Sequence, residues 1–295
     1  MSQPHQQPAD ADFAPRCYRH PDRQTFVSCT RCDRPICPTC LRDAPVGFQC
    51  PDCVGRRSSS RVRTPTLPYG GKVVARAGLM TLVLIGLNVV AFIATAVTSP
   101  AGFSHNESSR IFGKLVLNPT VIAENNEFWR FLGSAFLHFG VLHLAVNMFS
   151  LFVLGPALER VFGAWRYLSI YLLGALGGAL SVYLFDNRFN NVAGASGAIF
   201  GLFGALIVVY RKMGLNIWAL VPTILINVYI TLSVPGISWL GHLGGLVAGA
   251  VAAVIFVYAP RMHRALYQVG GVALLVAIMV GLTVWRTGAL DRMLS

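Results

Sequence analysis

Charge is what this sequence has least of. Only 12% of its 295 residues are Asp, Glu, Lys or Arg, against about 25% in soluble domains. With a mean hydropathy of +0.57 and 54% hydrophobic residues, this excludes an ordinary soluble domain and indicates a membrane protein. Carboxylates are scarcer than bases, 12 against 24 Lys and Arg, for a formal charge of +12. Most of that excess sits in linkers and short loops, which is a topology pattern rather than a nucleic-acid surface. Cysteine is missing after Cys53, all seven lying between Cys17 and Cys53. No disulfide can therefore tie the apolar part to what precedes it. The polar, proline-containing first residues do not read as a cleavable signal peptide.

What is there begins with a polar stretch, 1–16, expected to be a disordered tail. Residues 17–53 carry four ligand pairs at one spacing: Cys17 with His20, Cys29 with Cys32, Cys37 with Cys40, and Cys50 with Cys53. Eight ligands suffice for two tetrahedral Zn2+ sites. Disulfides fit poorly, because the cysteine count is odd and residues this close rarely bridge. A cross-braced arrangement would group Cys17, His20, Cys37 and Cys40, then Cys29, Cys32, Cys50 and Cys53. The few apolar residues between the pairs (Phe26, Val27, Ile36, Leu41, Phe48) cannot form a core, so metal must supply folding energy. The segment resembles B-box-type zinc fingers through its opening Cys-x-x-His and the Cys-x-x-Cys pairs that follow, although its closing pair departs from the usual His-rich end.

Residues 54–77 read as a basic flexible linker, with Arg56, Arg57, Arg61, Arg63, Lys72 and Arg76 suited to an anionic cytoplasmic leaflet. Aromatic residues do not interleave these charges, which argues against nucleic acid as partner. From residue 78 the text is apolar, and seven spans are expected: 78–98, 141–158, 166–185, 194–211, 214–233, 239–259 and 268–286. Arg160, Arg166, Arg211, Lys212, Arg261, His263 and Arg264 mark one set of connections, and the opposite loops are poor in bases. By the positive-inside rule the amino terminus is cytoplasmic and the carboxyl terminus outside, in agreement with reduced cysteines.

Spans two, four and six run in the same direction and carry polar residues at their starts: His138, His143 and Asn147, then Ser196, then His242. These residues should share one face of the membrane at similar depth. Polar groups in apolar spans usually face the bundle interior or a wet cavity. Glycines at four-residue steps (Gly197 and Gly201; Gly241, Gly245 and Gly249) let the fourth and sixth spans approach closely. A serine hydroxyl becomes a useful nucleophile only when a base takes its proton, which assigns Ser196 and His242 as a pair. No carboxylate lies at that depth to make a triad. His143 and Asn147, four apart on one helical face, and the Ser196 N–H are candidate oxyanion donors. Phe200, one turn below Ser196, can pack on the His242 ring. The Gly-x-Ser-x-Gly pattern of soluble hydrolases follows a strand, and no strand precedes Ser196.

These residues resemble the rhomboid intramembrane serine proteases. The matches are Glu127-Phe128-Trp129-Arg130 in the first loop, His138 to Met148, Gly194-Ala195-Ser196-Gly197, Gly241-His242-Leu243-Gly244-Gly245-Leu246, and Glu159 with Arg160 ending span two. The resemblance implies an all-α polytopic fold with a six-helix core over 78–260; a seventh transmembrane helix and tail, which some members have, follow over 261–295, and a small zinc-stabilised domain outside the resemblance precedes it. It implies an endopeptidase that cleaves single-span membrane proteins near the outer face, free of metal at the dyad, with His138, Trp129 and Arg130 in support. A bacterial plasma membrane suits the signal-free start, and the zinc domain would serve a cytosolic protein partner. Two alternatives compete. One is a catalytically silent relative that binds membrane helices, with the zinc finger as adaptor. The other is a zinc module whose membrane part is only an anchor.

Overall fold

A computed structural model describes residues 15–44, 46–59, 67–70, 78–233 and 237–294. The expected tail lies outside the described residues except at its last two positions, as does most of the basic linker, including Arg61, Arg63, Lys72 and Arg76. The chain divides into two compact units, Met1–Thr64 and Pro65–Ser295.

The first unit has almost no regular structure. Strands β1 (Arg42–Asp43) and β2 (Phe48–Gln49) pair antiparallel, and helix α1 (Pro51–Ser59) follows. Its interior is sulfur rather than hydrocarbon. Six of the seven cysteines are buried together with Ile36, whereas Phe26 is 88% exposed. The sparse apolar content cannot organise this unit, as composition required.

In the second unit, six helices are long and apolar enough to cross a bilayer: α2 (Leu79–Thr98), α6 (Gly140–Phe162), α7 (Ala164–Phe185), α8 (Ser196–Met213), α10 (Trp239–Tyr258) and α11 (Arg264–Leu294, apolar to Leu290). The protein is an all-α multi-pass membrane protein. Between α2 and α6 the loop holds short helices α3 (Arg110–Leu115), α4 (Pro119–Asn125) and α5 (Arg130–Gly133). The fifth expected span differs: after Gly214 and a turn capped by Asn216 it forms a 3-10 turn, Ile217–Leu220, and a 13-residue helix, α9 (Val221–Ser233). The Asn216 cap delays the helical start, because its side chain takes the Trp218 N–H.

Helices α7, α8 and α10 form the packed centre. A Cβ on Gly245 would collide with the Gly197 carbonyl, and one on Gly249 with the Gly201 carbonyl. Later residues of one helix meet later residues of the other, so α8 and α10 run parallel, and the absence of side chains at these steps permits the contact. Outer faces carry exposed Leu82, Val90, Leu142 and Phe149, as lipid-facing surfaces do.

Glu159, fully buried at the end of α6, accepts from the Met80 and Thr81 backbone N–H groups (3.1 Å each) and from Thr81 Oγ1 (3.0 Å). A carboxylate at a helix N-terminus satisfies orphan donors and complements the helix dipole. Glu159 thus locks α6 to the start of α2, consistent with its exclusion from the serine's neighbourhood.

Candidate active site

Ser196 is the first residue of α8. The chain reaches it through a pinned stretch. Val192 and Leu117 exchange two backbone hydrogen bonds (2.9 and 3.1 Å), and Gly194 N donates to Ser134 O at 2.9 Å. Gly194 has φ +137°, a conformation that side chains resist. A Cβ there would stand 2.9 Å from His143 Nε2 and 3.6 Å from Ser196 Oγ. The missing side chain therefore keeps open the space between imidazole and hydroxyl. That space belongs to a cavity of about 50 Å³ bordered by Ser134, His143, Ser196, Ser238 and Gly241. The first-turn N–H groups of α8 have no intrahelical partners.

Hydrogen bonds define the two imidazoles. Phe139 N donates to His143 Nδ1 at 3.3 Å. Neutral His143 therefore carries its proton on Nε2, toward the Gly194 opening. His242, in the first turn of α10, lies parallel to the Phe200 ring with centroids 4.0 Å apart. Phe200 follows Ser196 by one helical turn, so the expected packing is present. His242 Nδ1 is 2.8 Å from Thr231 Oγ1, and the Thr231 hydroxyl donates to Asn227 O at 2.7 Å. With its proton spent there, Oγ1 accepts from His242 Nδ1–H, which leaves Nε2 as the basic nitrogen. Among the described residues no hydrogen bond joins Ser196 Oγ to His242 directly. Such bonds are often long without substrate and tighten in the reacting complex.

The remaining expected residues fall as follows. Asn147 is buried one turn beyond His143, and its Nδ2 donates to His143 O at 2.9 Å. One of its two N–H groups is thus held by its own helix, and it does not border the cavity. His138 is fully buried with its ring edge-on to His143, centroids 5.1 Å apart. Among the described residues its ring nitrogens form no hydrogen bond. Trp129 Nε1 donates to Lys114 O at 3.1 Å. Arg130, 5% exposed, donates to Gly113 O (2.7 Å) and Val116 O (2.8 Å) and pairs with Glu127. Trp129 and Arg130 thus hold the first loop together from outside the cavity.

Two residues escaped the sequence reading. Thr231 gave the weak signal of a hydroxyl in an apolar stretch, which usually bonds its own helix. Asn106, fully buried, donates to His138 O (2.8 Å) and Thr95 Oγ1 (3.0 Å) and accepts from Gly140 N (3.0 Å), fixing the turn into α6. It stood in a long loop with no pattern around it.

The first unit holds two clusters able to bind a metal ion: Cys17, His20, Cys37 and Cys40, and Cys29, Cys32, Cys50 and Cys53. In each, the four ligand atoms lie within 4.8 Å of one another. The sets fit a thiolate-seeking ion. Cys50 N donates to Cys29 Sγ at 3.2 Å. Burial pushes the Cys29 thiol up, but N–H donors from Cys50, Arg31 and Cys32 outweigh it and bring it down to about 6.

Fold and site together define a polytopic membrane protein with a serine and two histidines gathered at one end of its helical core. Residues 125–259 match the family model described as Rhomboid domain. Rhomboid protease GluP of Bacillus subtilis is 35% identical over 181 residues, covering 59% of this chain and 34% of that protein. Rhomboid protease AarA of Providencia stuartii is 26% identical over 230 residues, 67% of this chain and 80% of that protein. Putative rhomboid protease YdcA of Bacillus subtilis is 35% identical over 130 residues, 42% and 65% respectively. The chain spans from 34% to 48% of the length of GluP and the RHOMBOID-like proteins 5 and 1 of Arabidopsis thaliana. Over residues 125–259 the chain is thus similar to rhomboid-family membrane proteins, and it carries Cys/His clusters ahead of that part in sequence.

Proposed function

We propose that this protein is an intramembrane serine endopeptidase working through Ser196 and His242. The observation that carries the proposal is the opening at Gly194, which faces the His143 Nε2–H and the Ser196 hydroxyl at once. Ser196 Oγ attacks the scissile carbonyl carbon while His242 Nε2 takes the hydroxyl proton. The oxyanion formed is held by His143 Nε2–H, the first-turn N–H groups of α8, that of Ser196 included, and the second N–H of Asn147. The imidazolium, steadied by Phe200 and Thr231, gives its proton to the leaving amine. A water then repeats the sequence on the acyl-enzyme and restores Ser196. Trp129 and Arg130 support the site by keeping the first loop in place, and His138 supports it by packing edge-on against His143.

The substrates are single-span membrane proteins cut near the outer face. The core comprises 78–260, followed by a seventh crossing in 261–295. The parallel run of α8 and α10 supports seven crossings, because the chain must return between them. Ile217–Ser233 extends about 28 Å at 3-10 and α rises, close to the roughly 30 Å hydrocarbon core. The amino terminus is then cytoplasmic, the carboxyl terminus outside, and the membrane a bacterial plasma membrane. Residues 17–53 bind two structural Zn2+ ions in the cross-braced grouping and offer a cytosolic protein its docking site. Zinc there supplies folding energy and takes no part in peptide cleavage.

The test is covalent labelling of the detergent-solubilised chain with a serine-directed fluorophosphonate. Labelling of the wild type, lost in Ser196→Ala and in His242→Ala, is expected. Equal labelling of the Ser196→Ala protein overturns the assignment.

A further inference from the structure

At the end of the bundle opposite Ser196, two arginines converge without a counter-charge. Arg166 begins α7 and Arg264 begins α11. Arg264 Nη1 and Arg166 Nη2 come within 3.3 Å of a single point, the place a Cβ on Gly70 would occupy. Arg264 Nη1 donates to Pro68 O and Arg166 Nε to Gln268 Oε1, both neutral acceptors, at 3.1 and 2.9 Å. Among the described residues no carboxylate lies within salt-bridge distance of either. The sequence offers few candidates. Beyond Cys53 it has only Glu107, Glu124, Glu127, Glu159, Asp186 and Asp291. Of these, Glu159 alone ends a helix on the arginine side, and the start of α2 already holds it.

Beside the pair opens a cavity of about 420 Å³ between α7 and α11. Its walls are mostly apolar, with Trp165, Phe256, Val269, Val272 and Ala273, and Arg166 and Gln268 stand at its head. Arg166 borders the slot and Arg264 meets it beside Gly70, so the pair and the slot match an anion that carries a hydrocarbon chain. Guanidinium binds phosphate oxygens through paired N–H groups better than an ammonium does. Basic pockets between spans on the cytoplasmic side are suited to anionic headgroups.

We propose that Arg166, Arg264 and this slot form a binding site for an anionic phospholipid of the phosphatidylglycerol type. The phosphate bridges the two guanidiniums, and one acyl chain lies along Trp165, Val269 and Ala273. A bound lipid relieves the like-charge contact and joins the starts of α7 and α11 to the Leu67–Gly70 turn, which Arg264 and Gln268 already hold. The site does not depend on the proposed protease activity.

Native mass spectrometry of the full chain, incubated in detergent with phosphatidylglycerol or phosphatidylcholine, tests it. Wild type should retain phosphatidylglycerol, and Arg166→Gln with Arg264→Gln together should retain it about 10- to 30-fold less, near 1 kcal/mol for each lost charge. Ala273→Phe fills the slot and leaves both charges, and it should also lose the lipid. Equal retention of the two lipids, or undiminished retention by the double variant, overturns the proposal. Displacement by millimolar inorganic phosphate also overturns it, by showing a free-anion site with no use for the chain. Thermal midpoints of both variants in phosphatidylcholine micelles, unchanged from wild type, exclude misfolding as the cause of loss. If misfolding appears, Arg166→Lys with Arg264→Lys, which keeps charge, must restore part of the retention or the site is refuted.

Discussion

Replacing Thr231 by valine removes one oxygen and nothing else of comparable size. In the native site that oxygen accepts from His242 Nδ1–H at 2.8 Å, and both residues are buried. Loss of the acceptor leaves a buried N–H unpaired, a penalty of about 1–3 kcal/mol. The imidazole escapes it by moving its proton to Nε2, the nitrogen that must be free to take the Ser196 proton. Either way the competent tautomer loses about that much free energy, and kcat/KM should fall roughly 5- to 150-fold. The assay is cleavage of a single-span reporter in proteoliposomes, as a function of pH. Thr231→Ser keeps the acceptor and should restore most of the rate. The contact also ties the base to α9, the shortest of the apolar helices, so KM should change less than kcat. A Thr231→Val enzyme as fast as wild type, or a serine variant as slow as valine, refutes the tautomer argument.

Other perturbations reach different parts of the account. Gly194→Ala should reduce cleavage by roughly 100-fold or more, because its Cβ fills the space beside His143 Nε2 that the oxyanion needs; reporter turnover with folding checked by thermal midpoint decides it. Glu159→Ala strips three donors at the start of α2 of their acceptor and should cost about 3 kcal/mol or more, read as a fall in the detergent melting midpoint. Arg130→Leu leaves the carbonyls of Gly113 and Val116 unpaired, and should raise protease nicking of the first loop. Elemental analysis should find two zinc ions per chain and one in Cys37→Ser, and chelation should abolish protease resistance of residues 17–53.

The sequence disclosed the helices through their length and hydropathy, and the helix starts at Leu79, Ala164 and Trp239 fall within two residues of expectation. It disclosed the metal sets because the two-residue gap is a local, geometric constraint. It disclosed the Phe200 and His242 contact because glycine steps dictated how α8 meets α10. It did not disclose that α9 is short, because hydropathy cannot see that Asn216 caps a turn and delays the helix. Nor did it disclose Thr231, Asn106 or the Arg166 and Arg264 pair. Each acts through a partner far along the chain, and such pairings are created by packing rather than by any local pattern.

The central claim is that Ser196 attacks a peptide bond inside the membrane. It is tested most directly by mass spectrometry of a single-span substrate incubated with the purified chain in liposomes. A new pair of termini within or beside the span, present with wild type and missing with Ser196→Ala, is the predicted result. Cleavage at the same bond by the Ser196→Ala protein contradicts the account.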